Sequence, residues 1–206
     1  MKKFYDRYWE GRSPQLQDFI FKWPRLAALI PRKPCVLLDY GCGKGRILSE
    51  VRHMNPSARL YGADISKTAL KIAKKYVPSA QFFLIDGHQR VNVRSYSCDF
   101  VLSLDVIEHV YDTENMFYEF NRLIKKGGYL LISTPYYGLI KNILIAFVGF
   151  NTVYEPTTSH IRFYTHKTLL SLLQKFGFLP VKTGKYGRFF PVHNGMYVLA
   201  RKVKNV

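Results

Sequence analysis

From Cys35 to Ser133 the chain repeats one pattern: a short, almost wholly apolar run, a turn, then a segment with helical spacing. The runs are Cys35–Asp39, Ala58–Ala63, Gln81–Ile85, Phe100–Leu104 and Tyr129–Ser133, each too short for a helix. Between them, Gly45–His53, Lys67–Tyr76 and Glu114–Leu123 place apolar residues at helical intervals. Wholly buried strands that alternate with helices form a parallel sheet covered on both faces. The end of the chain breaks the rule. Phe178–Lys185 and Gly195–Val203 are strand-like, with only a glycine-, proline- and asparagine-bearing loop, Tyr186–Asn194, between them. Two such strands pair antiparallel. The expectation is therefore a doubly wound α/β sheet finished by a hairpin.

An aromatic, charged stretch, Met1–Ser13, and a helix over Leu16–Leu29, stopped by Pro31 and Pro34, precede the first strand. One domain is expected over residues 1–206, with 1–34 as an N-terminal arm and helix and 136–159 as an insert after the fifth strand. With 48 % hydrophobic and 16 % aromatic residues, the chain has ample material for a core. Cys35, Cys42 and Cys98 form no metal or redox spacing and read as core residues of a reducing compartment. Aromatic and charged residues follow the two N-terminal lysines, where a secretory leader would be apolar. The greasiest stretch, Leu139–Phe150, is interrupted by Lys141 and Asn142 and is shorter than the roughly 20 residues of a membrane span. A cytoplasmic protein is expected.

The first strand runs into Asp39-Tyr40-Gly41-Cys42-Gly43-Lys44-Gly45. Open α/β sheets bind ligands at such carboxyl ends, and glycines there let backbone N–H groups approach the ligand. The spacing is G-x-G-x-G, whereas dinucleotide sites use G-x-G-x-x-G, and Asp39 would repel a pyrophosphate while welcoming an ammonium group. Further acids end the next strands: Asp64, 25 residues on, placed for ribose hydroxyls; Asp86-Gly87, placed for an adenine amine; and Asp105 after the fourth. A nicotinamide-dependent dehydrogenase leaves Asp39 and Asp86 without a purpose.

VLLDYGCGKG, YGADIS, FFLIDG, DFVLSLDVIEHV and LIKKGGYLLISTP resemble the successive motifs of class I S-adenosylmethionine-dependent methyltransferases, and HIRFYTHKTLLSLLQKFGF resembles a later helix of the branch that includes ubiquinone-biosynthesis O-methyltransferases. The resemblance implies a Rossmann-like sheet of strand order 3-2-1-4-5-7-6 with the last strand reversed. It implies that S-adenosylmethionine lies with its methionine end along Asp39, Gly41, Cys42 and Gly43. The ribose then lies on Asp64 beside Ile65, the adenine by Asp86 and Gly87, and Leu104 beneath the donor. It also implies a divalent cation such as magnesium on Asp105, Glu108 and His109, although the first position is a shorter Asp where the branch usually has Glu.

Beyond the donor, two readings of Glu108 and His109 stay open: a base or metal ligands for the acceptor, or residues that cap and orient the next helix. His160 is placed near the acceptor by the resemblance, and His166 is expected to cap its helix. Tyr5, Tyr8 and Trp9 form an aromatic arm whose rings suit a sulfonium, and Tyr8 is the donor candidate among them. In the insert, Ile140, Ile143, Leu144, Phe147 and Val148 share one helical face, fitting a lid, a membrane-surface contact, a dimer interface or core. The net charge of +17, from 31 basic and 14 acidic residues, is dispersed. It suits an anionic or lipid-like small acceptor, a membrane surface or nucleic acid, or serves solubility alone. A nucleic-acid enzyme is the weaker reading, because there is no N-P-P-Y motif, no catalytic cysteine near the fourth-strand motif and no separate binding domain. The main expectation is methyl transfer to a small or lipid-like acceptor at oxygen. A donor-binding module without catalysis is the alternative.

Overall fold

The computed structural model describes residues 2–10, 19–86, 88–155, 159–190 and 192–206. Two helices come first, α1 (Lys2–Trp9) and α2 (Phe19–Ala27). Then β1 (Val36–Tyr40), α3 (Arg46–Met54), β2 (Arg59–Asp64), α4 (Lys67–Tyr76), β3 (Gln81–Leu84) and β4 (Cys98–Leu104) alternate. A 3-10 turn, Ile107–His109, precedes α5 (Thr113–Leu123) and β5 (Ile124–Pro135). The chain closes with α6 (Leu139–Val148), α7 (Phe150–Val153), α8 (His166–Lys175), β6 (Phe178–Tyr186) and β7 (Gly195–Lys202).

The seven strands lie in the order β3-β2-β1-β4-β5-β7-β6. β1 to β5 are mutually parallel, and β7 runs antiparallel to both β5 and β6. The parallel strands need helical crossovers, whereas the β6–β7 loop closes a hairpin directly. One face is covered by α5 and α8, with Phe117, Phe120, Leu169, Leu173 and Phe176 essentially inaccessible. Leu26 of α2 and Ile47, Leu48 and Val51 of α3 bury the other. Among the described residues, no helix is long and apolar enough to cross a membrane.

Three expectations about local structure change. β5 begins at Ile124, five residues earlier than Tyr129, because the Lys-Lys-Gly-Gly segment continues the strand. His166 does not cap α8: Thr165 does, in a reciprocal pair with Thr168, and His166 is the first helical residue. Glu108 and His109 do not cap α5 either, since the Asp112 carboxylate accepts from the Asn115 N–H.

α2 is tied to the sheet by a charge. Lys22, 2 % exposed, places its ammonium 2.5 Å from Asp105 just past β4. Asp105 sits at φ +56, where a side chain other than glycine's is strained by about 1–2 kcal/mol. It is held there by Lys22 on one oxygen and by the Ser133 hydroxyl (2.7 Å) and the Tyr186 phenol (3.0 Å) on the other. Lys22→Met should therefore destabilise the protein by about 2–3 kcal/mol in urea unfolding, on the low side for a broken buried pair because the Asp105 side chain keeps 33 % of its surface in water. Unchanged stability would show that the pair does not anchor the helix.

Candidate functional site

The acids foreseen at the strand ends do not all share one environment. Asp39 is 3 % exposed, and its Oδ2 has no hydrogen-bond partner. After it the chain turns through Gly41 at φ +84 and Gly43 at φ +51. A Cβ at Gly41 would come within 2.3 Å of Val106, and one at Gly43 within 2.8 Å of the Trp9 ring. A cavity opens here, lined by Asp39, Gly41, Cys42, Gly43 and Leu104 of the expected donor residues, and also by Trp9, Lys44, Arg46 and Ile47. Asp64 lies at its edge, buried, with one oxygen accepting from the Gly43 N–H and the other from the Ser66 N–H, each at 2.8 Å. A carboxylate so held keeps lone pairs for hydroxyl donors.

Other donor candidates stand farther off. Ile65 is half-buried beside Asp64 and is not among the cavity-lining residues. Asp86 is exposed after β3, where the N–H groups of His88 and Arg90 bond its Oδ1 and hold its carboxyl below the usual range. Gly87 lies outside the described residues. Tyr8 packs against Phe4, Tyr5 and Trp9 and does not line the cavity; Trp9 does. Asp6 fastens this aromatic helix, accepting from the Ser66 hydroxyl (2.7 Å) and the Thr68 N–H (3.2 Å) at the start of α4.

The second group stands beyond β4. Glu108 has no accessible surface and no hydrogen-bond partner on either oxygen. Burial, and after it the charge of Asp105, raises its carboxyl well above the usual range. The His109 Nδ1 lies 2.8 Å from the Ser159 carbonyl. A carbonyl only accepts, so Nδ1 carries the proton and Nε2 keeps its lone pair. Burial holds His109 below 6.5, the ordinary histidine value, and does the same to His160. The two rings stand 4.8 Å apart, and Tyr5 of α1 meets His109 edge-on at 6.1 Å. One ligand atom from each of Glu108, His109 and His160 lies within 4.8 Å of the others. The structure groups His160 with Glu108 and His109, whereas Asp105, the third residue of the expected set, is engaged by Lys22, Ser133 and Tyr186. Neutral imidazoles and a carboxylate suit a divalent metal of the zinc or iron type better than magnesium, which prefers oxygen.

Sequence reasoning passed over Lys22, Tyr186, Lys44 and Arg46. A signal existed for Lys22, the one cation in an apolar helical stretch, FIFKW. None existed for Tyr186, which reaches Asp105 only through the sheet order.

The fold and an unpaired acid beside a glycine turn define a class of protein, and comparison with known proteins agrees. A chain of the complex between the Haloferax volcanii Trm112 methyltransferase activator and its putative methyltransferase superposes with TM-score 0.78 at 16 % identity, covering 97 % of this chain and 98 % of that one. Magnesium protoporphyrin IX methyltransferase of Synechocystis PCC 6803, solved with bound SAH, gives 0.70 at 18 %, covering 98 % and 97 %. At such identities these likenesses speak for the fold: it is that of the class I S-adenosylmethionine-dependent methyltransferases. The profile of the Methyltransferase domain family matches residues 8–183, and the chain belongs to that family. Among curated relatives, the ubiquinone biosynthesis O-methyltransferase of Cereibacter sphaeroides is 31 % identical over 169 residues, 76 % of this chain and 65 % of the relative. The Thiobacillus denitrificans counterpart is 28 % identical over 152 residues, 69 % and 63 %. A malonyl-[acyl-carrier protein] O-methyltransferase of Marinomonas sp. is 32 % identical over 131 residues, 61 % and 47 %. The chain thus spans less than two thirds of the length of these relatives.

The family's donor, S-adenosylmethionine, fits what is present. The orphaned Asp39 oxygen calls for a cation, and the Gly41–Gly43 turn lines the same cavity. Burial, then the neighbouring Asp64, raises the Asp39 carboxyl from 3.8 to about 7, while Lys22 pulls the other way. An acid raised in the fold stabilises it fully below about pH 4 and loses that contribution as pH climbs toward 7. A bound ammonium favours the ionised form and reverses the preference. Donor binding should therefore release protons into solution below about pH 7 and tighten as the pH rises through that range. Asp39→Asn should weaken binding and abolish the pH dependence, without a loss of ligand-free stability. Calorimetry in buffers of different ionisation enthalpy reads this, and a pH-independent wild-type affinity would remove Asp39 as the ammonium's partner.

Proposed function

We propose that the chain methylates a small hydroxyl-bearing acceptor, with Asp39 and the Gly41–Gly43 turn holding the amino-acid end of S-adenosylmethionine, Asp64 its ribose, and His109 acting as the base. The observation that carries the reading is the tautomer of His109. The Ser159 carbonyl holds Nδ1–H and leaves the Nε2 lone pair on the side of His160 and Glu108, just past the β4 end that also lines the donor cavity. When bound, the donor supplies a methyl group on a sulfonium centre. The protein must then align an acceptor oxygen, remove its proton and exclude water.

His109, neutral near pH 7, can take the hydroxyl proton on Nε2 as the oxygen becomes nucleophilic. Glu108 is buried beside it, its carboxyl raised well above the usual range by that burial. Tyr5 meets His109 edge-on, and burial raises its phenol and pushes that of Tyr137 up to about 12, so neither tyrosine acts as the base near neutrality. Transfer to oxygen agrees with the names of the curated relatives, which are O-methyltransferases. A second reading has a specific observation behind it: Glu108, His109 and His160 are close enough to hold a divalent cation that would acidify the acceptor hydroxyl instead.

His109→Ala should slow methyl transfer by about 10²–10⁴ while donor affinity stays unchanged. Labelled-methyl transfer into lipid, small-molecule and RNA fractions of a cell extract measures the first, and calorimetry the second. Loss of activity with a chelator and its return with added metal selects the cation reading. Label confined to the RNA fraction, or wild-type rates in the variant, overturns the proposal.

A further inference from the structure

The insert does not bury the face that its sequence pattern marks. α6 turns Ile145 inward, while Leu139, Ile140, Ile143, Leu144, Phe147 and Val148 are all exposed, Phe147 and Val148 at 84 % and 86 %. That is far more than a scatter of single surface hydrophobes, and contiguous patches of this kind mark interaction sites. Nor does the helix stand alone. Lys141 donates to the carbonyls of Tyr136 and His193, each at 2.9 Å, fixing the start of α6 to the β6–β7 loop. That loop presents Phe189 and Phe190, 77 % and 68 % exposed, directly after the exposed Arg188. On another side, Tyr137 and Tyr154 meet Phe163 edge-on at 4.8 and 5.6 Å, joining the insert to the segment that carries His160 and the exposed Ile161.

Charge decides what such a surface would meet. From Tyr136 to Val206 the only acidic residue is Glu155, against ten lysines and arginines, of which Lys202 is buried and Arg188 stands exposed beside Phe189. With a net charge of +17 on each chain, two copies repel one another, which argues against self-association, whereas an anionic bilayer attracts the protein. A short helix with an exposed apolar face lies in the interface rather than crossing it.

We propose that α6, with the Phe189–Phe190 loop, docks on an anionic lipid surface and brings the His109–His160 region to it. This goes beyond the acceptor reading and does not depend on it. It is tested by flotation of the full chain with phosphatidylcholine vesicles containing roughly a third phosphatidylglycerol, and with phosphatidylcholine alone. The wild type should float with the anionic vesicles and be released by salt. Phe147→Ser with Val148→Ser, and separately Phe189→Ser with Phe190→Ser, should each weaken flotation at least about tenfold while donor affinity stays unchanged. These side chains are already in water, so the variants keep their fold. Equal flotation with neutral vesicles, or none with either, overturns the proposal. So does a wild-type dimer in sedimentation that the same substitutions convert to monomer, since the face would then belong to a second copy.

Discussion

The ion pair between Lys22 and Asp105 joins parts of the molecule that the chain order keeps apart. It fastens α2 to the end of β4, and through Ser133 and Tyr186 the same carboxylate ties in β5 and β6. Lys22, the buried member of the pair, is tolerated there because the Asp105 carboxylate meets its ammonium. The pair also divides two chemistries. On one side is Asp39, with one oxygen unpaired; on the other is Glu108, whose carboxyl is raised well above the usual range by burial and then by the negative charge of Asp105. Lys22 draws both acids toward ionisation, though burial outweighs it in each. The strained backbone at Asp105 is thus a local cost that fixes the entry to the 3-10 turn bearing Glu108 and His109.

Electrostatics of this kind explain why acids of similar sequence context end in different states. Asp86 and Asp64 both follow strands, yet Asp86 faces water and accepts two N–H bonds, while Asp64 is buried against the glycine turn. Burial raises Asp64 and backbone bonds oppose it, whereas in Asp86 the backbone bonds outweigh the small cost of burial. Strand-end position alone therefore does not assign a carboxylate its job; depth and the direction of nearby N–H groups do.

The sheet was legible because its information is local. Apolar runs such as Val36-Leu37-Leu38 need no partner to be recognised, and the hairpin of β6 and β7 follows from the lack of a helix between two strands. The glycine turn and Asp39 were legible for the same reason, and so was Trp9 as part of an aromatic arm, though Tyr8 was the residue chosen for the donor. What was not legible depends on approach through space. Asp105 leaves the metal-type cluster and His160 enters it because Lys22, 83 residues away in sequence, claims the first and the 159–163 segment delivers the second. The helical face of the insert was read correctly as a stripe, but periodicity says nothing about which side meets the core, and the exposed side proved to be the greasier one.

Trp9 belongs to both halves of the site at once. Its indole rests against Gly43 and lines the donor cavity, on a helix that also sets Tyr5 against His109 and hooks Asp6 onto the start of α4. One short helix therefore supplies a wall of the cavity and a neighbour of the histidine pair, and any change in how it packs on α4 reaches both together.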